Sequence, residues 1–236
     1  MLVDMHSHSS GISRCCQIPA EQVVEEAKNV GIDALVLTNH YVEYYGINGD
    51  YDDLAKRYIA EYEYTKKCGE KIGMKVFFGL EVTMELPGNP HVLIYGVQPQ
   101  FILDHPQIFY YTQRKLYEVV KQVGGVVVQA HPFRKNIDVL LDLKFLDGVE
   151  INCHPLYEAT HFEKLRSIAQ NNNLILTSGG DYHADTHRAK CGVYFPDHIK
   201  DGVEIGKYLL AQSPLKLCIQ EVDSDCSYDY EYARKV

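Results

Sequence analysis

Two histidines stand one residue apart in the opening stretch "MLVDMHSH". Side chains alternate between the two faces of an extended strand, so His6 and His8 would point at the same place. Five further apolar runs are each followed by His, Asp or Glu, in "ALVLTNH", "VFFGLE", "GVVVQAHP", "GVEINCHP" and "LILTSGGDYH". Any one of these histidines alone would be explained as a hydrogen-bonded core or loop residue. Because the donors recur behind six separate runs, we expect them to meet in one site.

Imidazole nitrogens and carboxylate oxygens, with no obvious thiolate among them, suit zinc, manganese or iron rather than calcium. With three or more ligands per ion, the set is large enough for two or three divalent transition-metal ions. A structural zinc site is closed, local in sequence and usually rich in cysteine, which this set is not. Clusters of bridged ions are typical of hydrolytic phosphate chemistry. The predicted metal ligands are His6, His8, His40, Glu81, His91, His131, Asp181 and His183.

The positions of these residues depend on the elements that carry them. Short apolar runs alternate with longer amphipathic segments such as "PAEQVVEEAKNVG", where Pro19 opens and Gly31 ends a predicted helix. This alternation predicts βαβ units and a parallel sheet, closed as a barrel or open. The carboxyl ends of parallel strands lie on one face, which would bring the polar residues together. Strands are predicted at 2–5, 34–38, 75–80, 92–95, 125–130, 148–151, 174–178, 192–195 and 215–219, and helices at 19–31, 51–71, 108–123, 157–171 and 201–212.

Length, hydrophobic content, net charge and cysteine count limit the kinds of protein that this chain could be. The 236 residues, 46% of them hydrophobic, suffice for one α/β domain near the ~250 residues typical of a parallel barrel. A net charge of -9 leaves no basic stripe for stable binding of duplex nucleic acid. Seven cysteines without a C-x-x-C pair argue against a disulfide framework and favour a reducing cytoplasm. The start of the chain lacks the pattern of a secretory signal, and no apolar stretch approaches ~18 residues, so no membrane association is expected.

Taken in order, the motifs resemble those of the PHP superfamily of metal-dependent phosphoesterases, named from polymerase and histidinol phosphatase. "DMHSH" resembles the first motif, "TNH" the second, usually T-D-H, and "GLEVTM" followed by "HVLIYGV" the glutamate and the next histidine. "AHP" resembles the third motif and "GGDYH" the fourth, usually G-S-D-x-H. The resemblance implies a distorted (β/α)7 TIM-like barrel as a single domain over residues 1–220. We expect residues 221–236, which are acidic and rich in tyrosine, to form a loosely held tail.

The resemblance also implies how the ligands divide among ions. The first ion would be held by His6, His8, Glu81 and Asp181, the second by Glu81, His91 and His131, and the third by His40 and His183.

Two positions depart from the pattern of that family. Many relatives complete the third site with an Asp or His five residues after the second histidine of H-x-H, where this chain has Ser13, followed by Arg14. The third ion is therefore expected to be weak, absent or completed by another residue. Asn39 replaces the usual aspartate, which would weaken a hydrogen bond that orients His40.

The mechanism expected for such a site starts from Glu81, which would bridge two ions and leave a hydroxide between them. The ions lower the pKa of bound water from about 15.7 to about 7, so this hydroxide would form near neutral pH and attack phosphorus. The planar fork of an arginine suits phosphate oxygens. Arg134 and Arg188 are predicted to bind substrate because each closely follows a ligand, and Arg14 is a further candidate.

The leaving group needs a proton, for which His154 and His187 are the predicted general acids. Glu150, at the end of "LDGVE", would either position a ligand histidine or cap the next loop. The tyrosines of "HYVEYYGINGDY" are expected to pack against the protein rather than to stack on a substrate ring.

The leading functional interpretation is a phosphatase or phosphodiesterase for a small phosphomonoester, such as histidinol phosphate or a nucleotide. One alternative is a protein tyrosine phosphatase, as some bacterial members of the superfamily are. The other is a metal-binding regulatory or scaffold domain without turnover, against which the stand-alone length and the intact ligand set argue. A narrow pocket rich in arginine would favour a small molecule, whereas an open cleft would favour a protein loop. The sequence makes no prediction of oligomeric state.

Overall fold

The computed structural model describes residues 1–135, 139–185 and 189–234 and shows, within them, a mixed α/β structure with two sheets and six α-helices. The helices are α1 Ala20–Asn29, α2 Tyr51–Ile72, α3 Gln100–Asp104, α4 Gln113–Gln122, α5 Phe162–Asn172 and α6 Gly202–Ala211. The strands are β1 Leu2–Ser7, β2 Ala34–Leu37, β3 His40–Tyr41, β4 Lys75–Phe78, β5 Leu80–Thr83, β6 His91–Tyr95, β7 Val126–Gln129, β8 Gly148–Asn152, β9 Ile175–Gly179, β10 Gly192–Tyr194, β11 Leu215–Gln220 and β12 Ser227–Tyr232.

Each sheet combines parallel and antiparallel strands. The first has the order β12-β11-β10-β1-β2-β4, in which β1, β2 and β4 run parallel. The second has the order β3-β5-β6-β7-β8-β9, in which β6 runs antiparallel to both neighbours. The α/β class is as expected, but the sheets are not wholly parallel. Only residues 84–90 separate β5 from β6. A parallel return needs a crossover of about a dozen residues or more, so this connection is too short for β6 to run parallel to β5.

Backbone hydrogen bonds connect the two sheets at two places. Near the ends of β1 and β9, the N–H of Asp181 donates to the carbonyl of His6 at 2.8 Å. Between β4 and β5, the N–H of Gly79 donates to the carbonyl of Leu37 at 3.1 Å. A Cβ at Gly79 would lie 2.6 Å from a methyl carbon of Val36, so this junction requires glycine. These contacts hold the ends of strands from both sheets side by side.

The central strands are buried on both faces, which explains their nearly continuous apolar sequences. In β2, Leu35 belongs to one hydrophobic cluster and Val36 to the other. Helix α1 covers the sheet with a face that buries Val23, Val24 and Ala27, at the spacing expected for an amphipathic helix.

Capping residues explain where the helices begin and end. Asp50 accepts a hydrogen bond from the N–H of Asp53 at 2.9 Å, which satisfies a free donor at the start of α2. The same helix ends at Gly73, whose φ is +73°. Thr112 caps α4, so the predicted helix at 108–123 is divided into a short 3-10 helix, Ile108–Tyr110, and α4. None of the helices in the described ranges is long and apolar enough to cross a lipid bilayer.

The C-terminal segment differs from the expectation of a loosely held tail. Ser227–Tyr232 forms β12 and pairs antiparallel with β11 along its whole length. Tyr232 is buried, and its hydroxyl donates to the carbonyl of Leu174 at 2.7 Å. The alternation of tyrosine with acidic residues in "SYDYEY" has the period of two that suits an edge strand. The acidic composition led to the expectation of a tail, although the alternation of residues is that of a strand.

Candidate metal centre

The carboxylate of Glu81 on β5 lies among five imidazoles that come from different parts of the fold. Its Oε1 atom is 2.7 Å from His91 Nδ1 and 3.0 Å from His131 Nε2. Its Oε2 atom is 2.6 Å from His40 Nδ1, 3.4 Å from His6 Nε2 and 3.5 Å from His8 Nε2. Glu81 is fully buried, so the free energy of desolvating its charge must be offset by these partners.

The first predicted ligand set has the spacing of atoms that share one ion. The set comprises His6, His8, Glu81 and Asp181, all buried. The Oδ1 atom of Asp181 lies 3.4 Å from His6 Nε2 and 3.1 Å from His8 Nε2. Ligand atoms around a tetrahedral ion with bonds of about 2.1 Å are separated by about 3.4 Å. In the described part of the chain, neither His6 Nε2 nor Glu81 Oε2 has a hydrogen-bond partner, and a cation would satisfy both.

The other predicted ligands border this set. Donor atoms of His40, Glu81 and His91 lie within 4.8 Å of one another, as do those of His8, His40 and His183. The Nε2 atoms of His40 and His183 are 3.3 Å apart. The structure thus brings all eight predicted ligands into one cluster, and the division among ions stays a prediction.

Two of the clustered residues have an unusual backbone conformation. Asp181 has φ of 50° and His131 has φ of 29°, values that cost roughly 1–3 kcal/mol for a residue other than glycine. A backbone hydrogen bond holds each of them in this conformation. The N–H of Asp181 donates to the His6 carbonyl, and the N–H of His131 donates to Glu150 Oε2. Such strain is typical of functional sites, where surrounding contacts enforce the conformation.

Glu150 on β8 orients two of the ligands. Its Oε1 atom accepts a hydrogen bond from His6 Nδ1 at 2.8 Å, and its Oε2 atom accepts from the backbone N–H of His131 at 2.9 Å. With its proton on Nδ1, His6 turns the lone pair of Nε2 towards Glu81 and Asp181. Of the two roles that the sequence allowed for Glu150, the structure supports the positioning of a ligand histidine.

Ser13 and Asn39 set the orientation of a third ligand. The backbone N–H of Ser9 donates to Asn39 Oδ1 at 2.8 Å, which identifies that atom as the amide oxygen. The Ser13 hydroxyl therefore donates to Oδ1, at 2.7 Å, and accepts from His8 Nδ1, at 3.2 Å. The Nε2 atom of His8 is left as an acceptor. Asn39 acts through Ser13, which also accepts the backbone N–H of His40 at 3.0 Å, rather than by bonding the His40 ring.

Burial and neighbouring charges shift several pKa values in the cluster. Burial by itself would lower the pKa of His6, but Glu150 and the other carboxylates raise it well above its usual value. Burial likewise opposes protonation of His40, whose pKa is nevertheless raised to about 10, mainly by Glu81. The pKa values of Glu81 and Asp181 are held well below their usual range, against the effect of burial, by the surrounding imidazoles. Metal ions therefore compete with protons for this site.

The cluster opens into a cavity of about 590 Å³. Arg134 and His154, both predicted from the sequence, line it together with Tyr157. The guanidinium carbon of Arg134 lies 4.5 Å from the centre of the Tyr157 ring, and His154 stacks on the same ring at 4.3 Å. These two predicted residues therefore face the space next to the metal ligands.

The other residues considered from the sequence differ in their relation to this cavity. Arg14 is not one of the residues that line the cavity, and its guanidinium carbon lies 4.8 Å from the centre of the Tyr45 ring. His187 and Arg188 lie outside the described residues. Tyr41 and Tyr45 are buried, as the packing interpretation expects, whereas Tyr44 is 64% exposed and lines the cavity.

The sequence analysis assigned no role to two residues next to the ligands. The Tyr157 hydroxyl donates to Asp181 Oδ2 at 2.5 Å, and its pKa is raised by burial and by Asp181. Cys15 lines the cavity, and its pKa is lowered to about 6 because hydrogen bonds with His183 and His40 outweigh the effect of burial. Their proximity to predicted site residues, three positions after His154 and two after Ser13, was the available signal.

Replacing Glu150 with glutamine is expected to weaken metal binding by roughly 10- to 100-fold, the usual effect of losing a group that orients a ligand. The amide cannot accept hydrogen bonds through both of its polar atoms, so either His6 or the loop of His131 would lose its support. Competition with a chromophoric chelator measures the affinity. The control is Glu158→Gln, a change at an exposed position on a nearby segment. Equal affinities for the two variants would contradict the positioning role.

No protein-family model and no curated protein matches the sequence. Several solved structures resemble this one. The first is a two-domain protein from Bacteroides vulgatus that contains a predicted PHP-like metal-dependent phosphoesterase. Its TM-score to this chain is 0.68, and the sequences are 16% identical. The match covers 93% of this chain and 65% of that chain, which is less than two thirds of its length.

The second is a protein from Bifidobacterium adolescentis with an inferred metal-dependent phosphoesterase activity, with TM-score 0.56 and 16% identity over 88% of this chain and 95% of its own. The third is an amidohydrolase from Chromobacterium violaceum with bound sulfate and no metal. Its TM-score is 0.55, its sequence identity is 15%, and the match covers 88% of this chain and 96% of that chain. At these identities the likeness concerns the fold. The chain therefore has the fold of the PHP-like metal-dependent phosphoesterases.

Proposed function

We propose that this protein is a metal-dependent hydrolase of phosphoesters, with a small phosphomonoester as its substrate. The observation that carries the proposal is the convergence of His6, His8, Glu81 and Asp181 at ligand-like separations of 3.1 to 3.5 Å. When bound, divalent ions supply Lewis-acid activation of water and of the phosphoryl group. Nitrogen and oxygen donors of this kind suit zinc, manganese or iron.

We infer that the two sheets close into a distorted seven-stranded TIM-like barrel. The inference is supported by the hydrogen bonds that join β1 to the end of β9 and the β2 end to the β4–β5 junction. The antiparallel strand β6 would account for the distortion. In such a barrel the loops at one end supply the catalytic groups, and the clustered ligands occupy one such end.

The cavity supports a substrate of small-molecule size. Its volume of about 590 Å³ falls within the roughly 300–1,000 Å³ of ordinary ligand pockets. The net charge of -9 argues against binding of duplex nucleic acid. The seven free thiols favour a reducing compartment, and we infer the cytoplasm.

Arg134 is the residue best placed to bind a phosphoryl oxygen. It lines the cavity beside the metal ligands, and stacking on Tyr157 fixes its planar group while leaving the edge N–H donors for an anion. The related Chromobacterium violaceum structure contains sulfate, a tetrahedral anion like phosphate. The substrate charge would thus be met by both cations and a guanidinium.

His154 is the group in the described part of the cavity that we assign to protonate the leaving oxygen. The backbone N–H of Leu156 donates to its Nδ1 atom at 3.1 Å, so the neutral ring carries its proton on Nε2. A ring in that tautomer, lining the cavity, is suited to donate a proton during bond cleavage.

The test is a screen of the manganese- or zinc-loaded protein against phosphorylated metabolites, with released phosphate as the readout. We expect hydrolysis of at least one small phosphomonoester and no hydrolysis after chelation. A phosphotyrosine peptide belongs in the panel, because its preferential hydrolysis would replace the small-molecule assignment with a protein tyrosine phosphatase. A loaded protein that hydrolyses neither would contradict the proposal.

Replacing Arg134 with alanine is expected to raise the KM for the phosphomonoester by about 10- to 100-fold, corresponding to about 1.5–3 kcal/mol for hydrogen bonds to a charged group. Metal content should not change, because Arg134 is not a ligand. Steady-state kinetics together with metal analysis measure both. The matched control is Arg114→Ala on the surface of α4, where the side chain is 71% exposed. An unchanged KM in the Arg134 variant would exclude the assigned contact.

A further inference from the structure

A line of hydrogen bonds runs from the predicted ligand His8 to a carboxylate on helix α2. His8 Nδ1 lies 3.2 Å from the Ser13 hydroxyl oxygen, which in turn lies 2.7 Å from Asn39 Oδ1. Asn39 Nδ2 donates to the Ser9 hydroxyl at 3.0 Å, and this hydroxyl donates to Glu61 Oε1 at 2.6 Å. We call these five side chains, joined by four hydrogen bonds, the relay.

The direction of each hydrogen bond in the relay is fixed by a group that can play only one role. The Glu61 carboxylate accepts, so the Ser9 hydroxyl donates to it. The backbone N–H of Ser9 donates to Asn39 Oδ1, which makes that atom the amide oxygen and Nδ2 the donor. The Ser13 hydroxyl gives its one proton to Oδ1, and so it accepts from His8 Nδ1. All four hydrogen bonds therefore point from His8 towards Glu61.

At the other end of the relay, the lone pair of His8 meets two carboxylates. With its proton on Nδ1, the ring holds Nε2 3.1 Å from Asp181 Oδ1 and 3.5 Å from Glu81 Oε2. Three acceptors at these separations need a shared proton or cation. A negative charge on the far side of a ligand imidazole makes its free nitrogen a stronger donor to a metal ion.

Burial and the shape of the loop after β1 favour transmission of this charge. Four members of the relay are fully buried, namely His8, Ser9, Ser13 and Asn39. Solvent therefore screens the relay little, and aligned hydrogen bonds polarise one another. A Cβ at residue 11 would lie 1.9 Å from Glu61 Oε2, so the loop admits the carboxylate because Gly11 has no side chain.

We propose that Glu61 is a positioning residue for the metal centre. Through the relay it holds the proton of His8 on Nδ1 and strengthens Nε2 as a metal donor. The inference rests on the proposed metal-dependent function and adds to it a carboxylate that lies four hydrogen bonds away from the ligand.

The zinc affinity of the purified full chain, measured by competition with a chromophoric chelator, tests the proposal without recourse to hydrolysis. Glu61→Gln keeps the shape of the side chain and removes its charge. We expect the affinity to fall by about tenfold, the lower end of the usual effect of losing a group that supports a ligand. The matched control is Glu70→Gln, at an exposed position on the same helix, which should bind zinc as the wild type does.

The variant Asn39→Asp distinguishes the relay from a merely structural contact. It places a carboxylate one hydrogen bond from Ser13, so the charge of Glu61 is no longer required. In the Asn39→Asp background, Glu61→Gln should therefore change the affinity by less than about twofold, which a double-mutant cycle measures. An equal loss in both backgrounds, or full affinity in Glu61→Gln, would overturn the relay and leave the metal centre intact. A wild type that binds no zinc would overturn the proposed function as well.

Discussion

Replacing Glu81 with glutamine is expected to reduce phosphoester hydrolysis by about a thousandfold or more, equivalent to about 4 kcal/mol of transition-state stabilisation. The same change should lower the amount of metal bound. Both carboxylate oxygens of Glu81 face imidazole nitrogens, and Oε2 also faces Asp181 across the first ligand set. An amide has no negative charge, and its NH2 group would direct protons at atoms that must hold a cation. Five of the predicted ligand histidines lie within 3.5 Å of this carboxylate.

The matched control is Glu85→Gln, at an exposed position four residues along the same segment. Glu81→Gln and the control are compared by metal analysis of the purified proteins and by initial rates on the best substrate from the screen. Circular dichroism of both variants shows whether the fold is retained. A Glu81 variant that keeps full metal content and hydrolyses within tenfold of the wild-type rate would refute the metal centre.

Removing the metal is expected to reverse the pH dependence of stability between about pH 7 and 9. In the metal-free protein the pKa of His40 is about 10, and the pKa values of His6 and His183 are also raised, against about 6.5 in an unfolded chain. The folded state then holds protons that the unfolded state has lost. With its pKa of about 10, His40 makes the free energy of unfolding fall by about 1.4 kcal/mol per pH unit across this interval.

In the metal-loaded protein, the free energy of unfolding changes with pH in the opposite direction. Its ligand histidines are neutral, so a rising pH removes competing protons and strengthens the stabilisation by bound metal. His8 and His91, whose pKa values are lowered by burial, are neutral in both folded and unfolded states above pH 7 and add no slope there. Glu81 and Asp181, whose pKa values are also lowered, stabilise the fold above about pH 4, and this contribution is lost as the pH falls further.

Thermal unfolding at pH 7, 8 and 9, with a chelator and with added zinc, measures this difference. We expect the Tm of the chelated protein to decrease by several degrees over the interval and that of the loaded protein to stay level or increase. A chelated protein whose Tm increases with pH would show that His6 and His40 are not protonated in the metal-free fold.

The type and order of the chemical groups were readable from the sequence. Histidine and carboxylate residues behind six apolar runs predicted a common site, and the period-two alternation of an extended strand predicted that His6 and His8 point at the same place. The short apolar runs predicted β2 and β7 closely, because strands buried on both faces have nearly continuous apolar sequences. The likeness of fold to PHP-like proteins agrees with the order of the motifs.

Only the tertiary structure decided which neighbours each group has. The direction of β6 and the pairing of β12 depend on loop length and on partner strands that are far away in the chain. The role of Glu150 depends on the distance to His6, 144 positions earlier, which no local pattern encodes. The sequence assigned no role to Cys15, whose place in the cavity beside His40 and His183 depends on the folding of β3 and of the loop after β9. Local backbone preferences determine the elements, whereas contacts between distant residues determine the protonation, orientation and partners of the groups those elements carry.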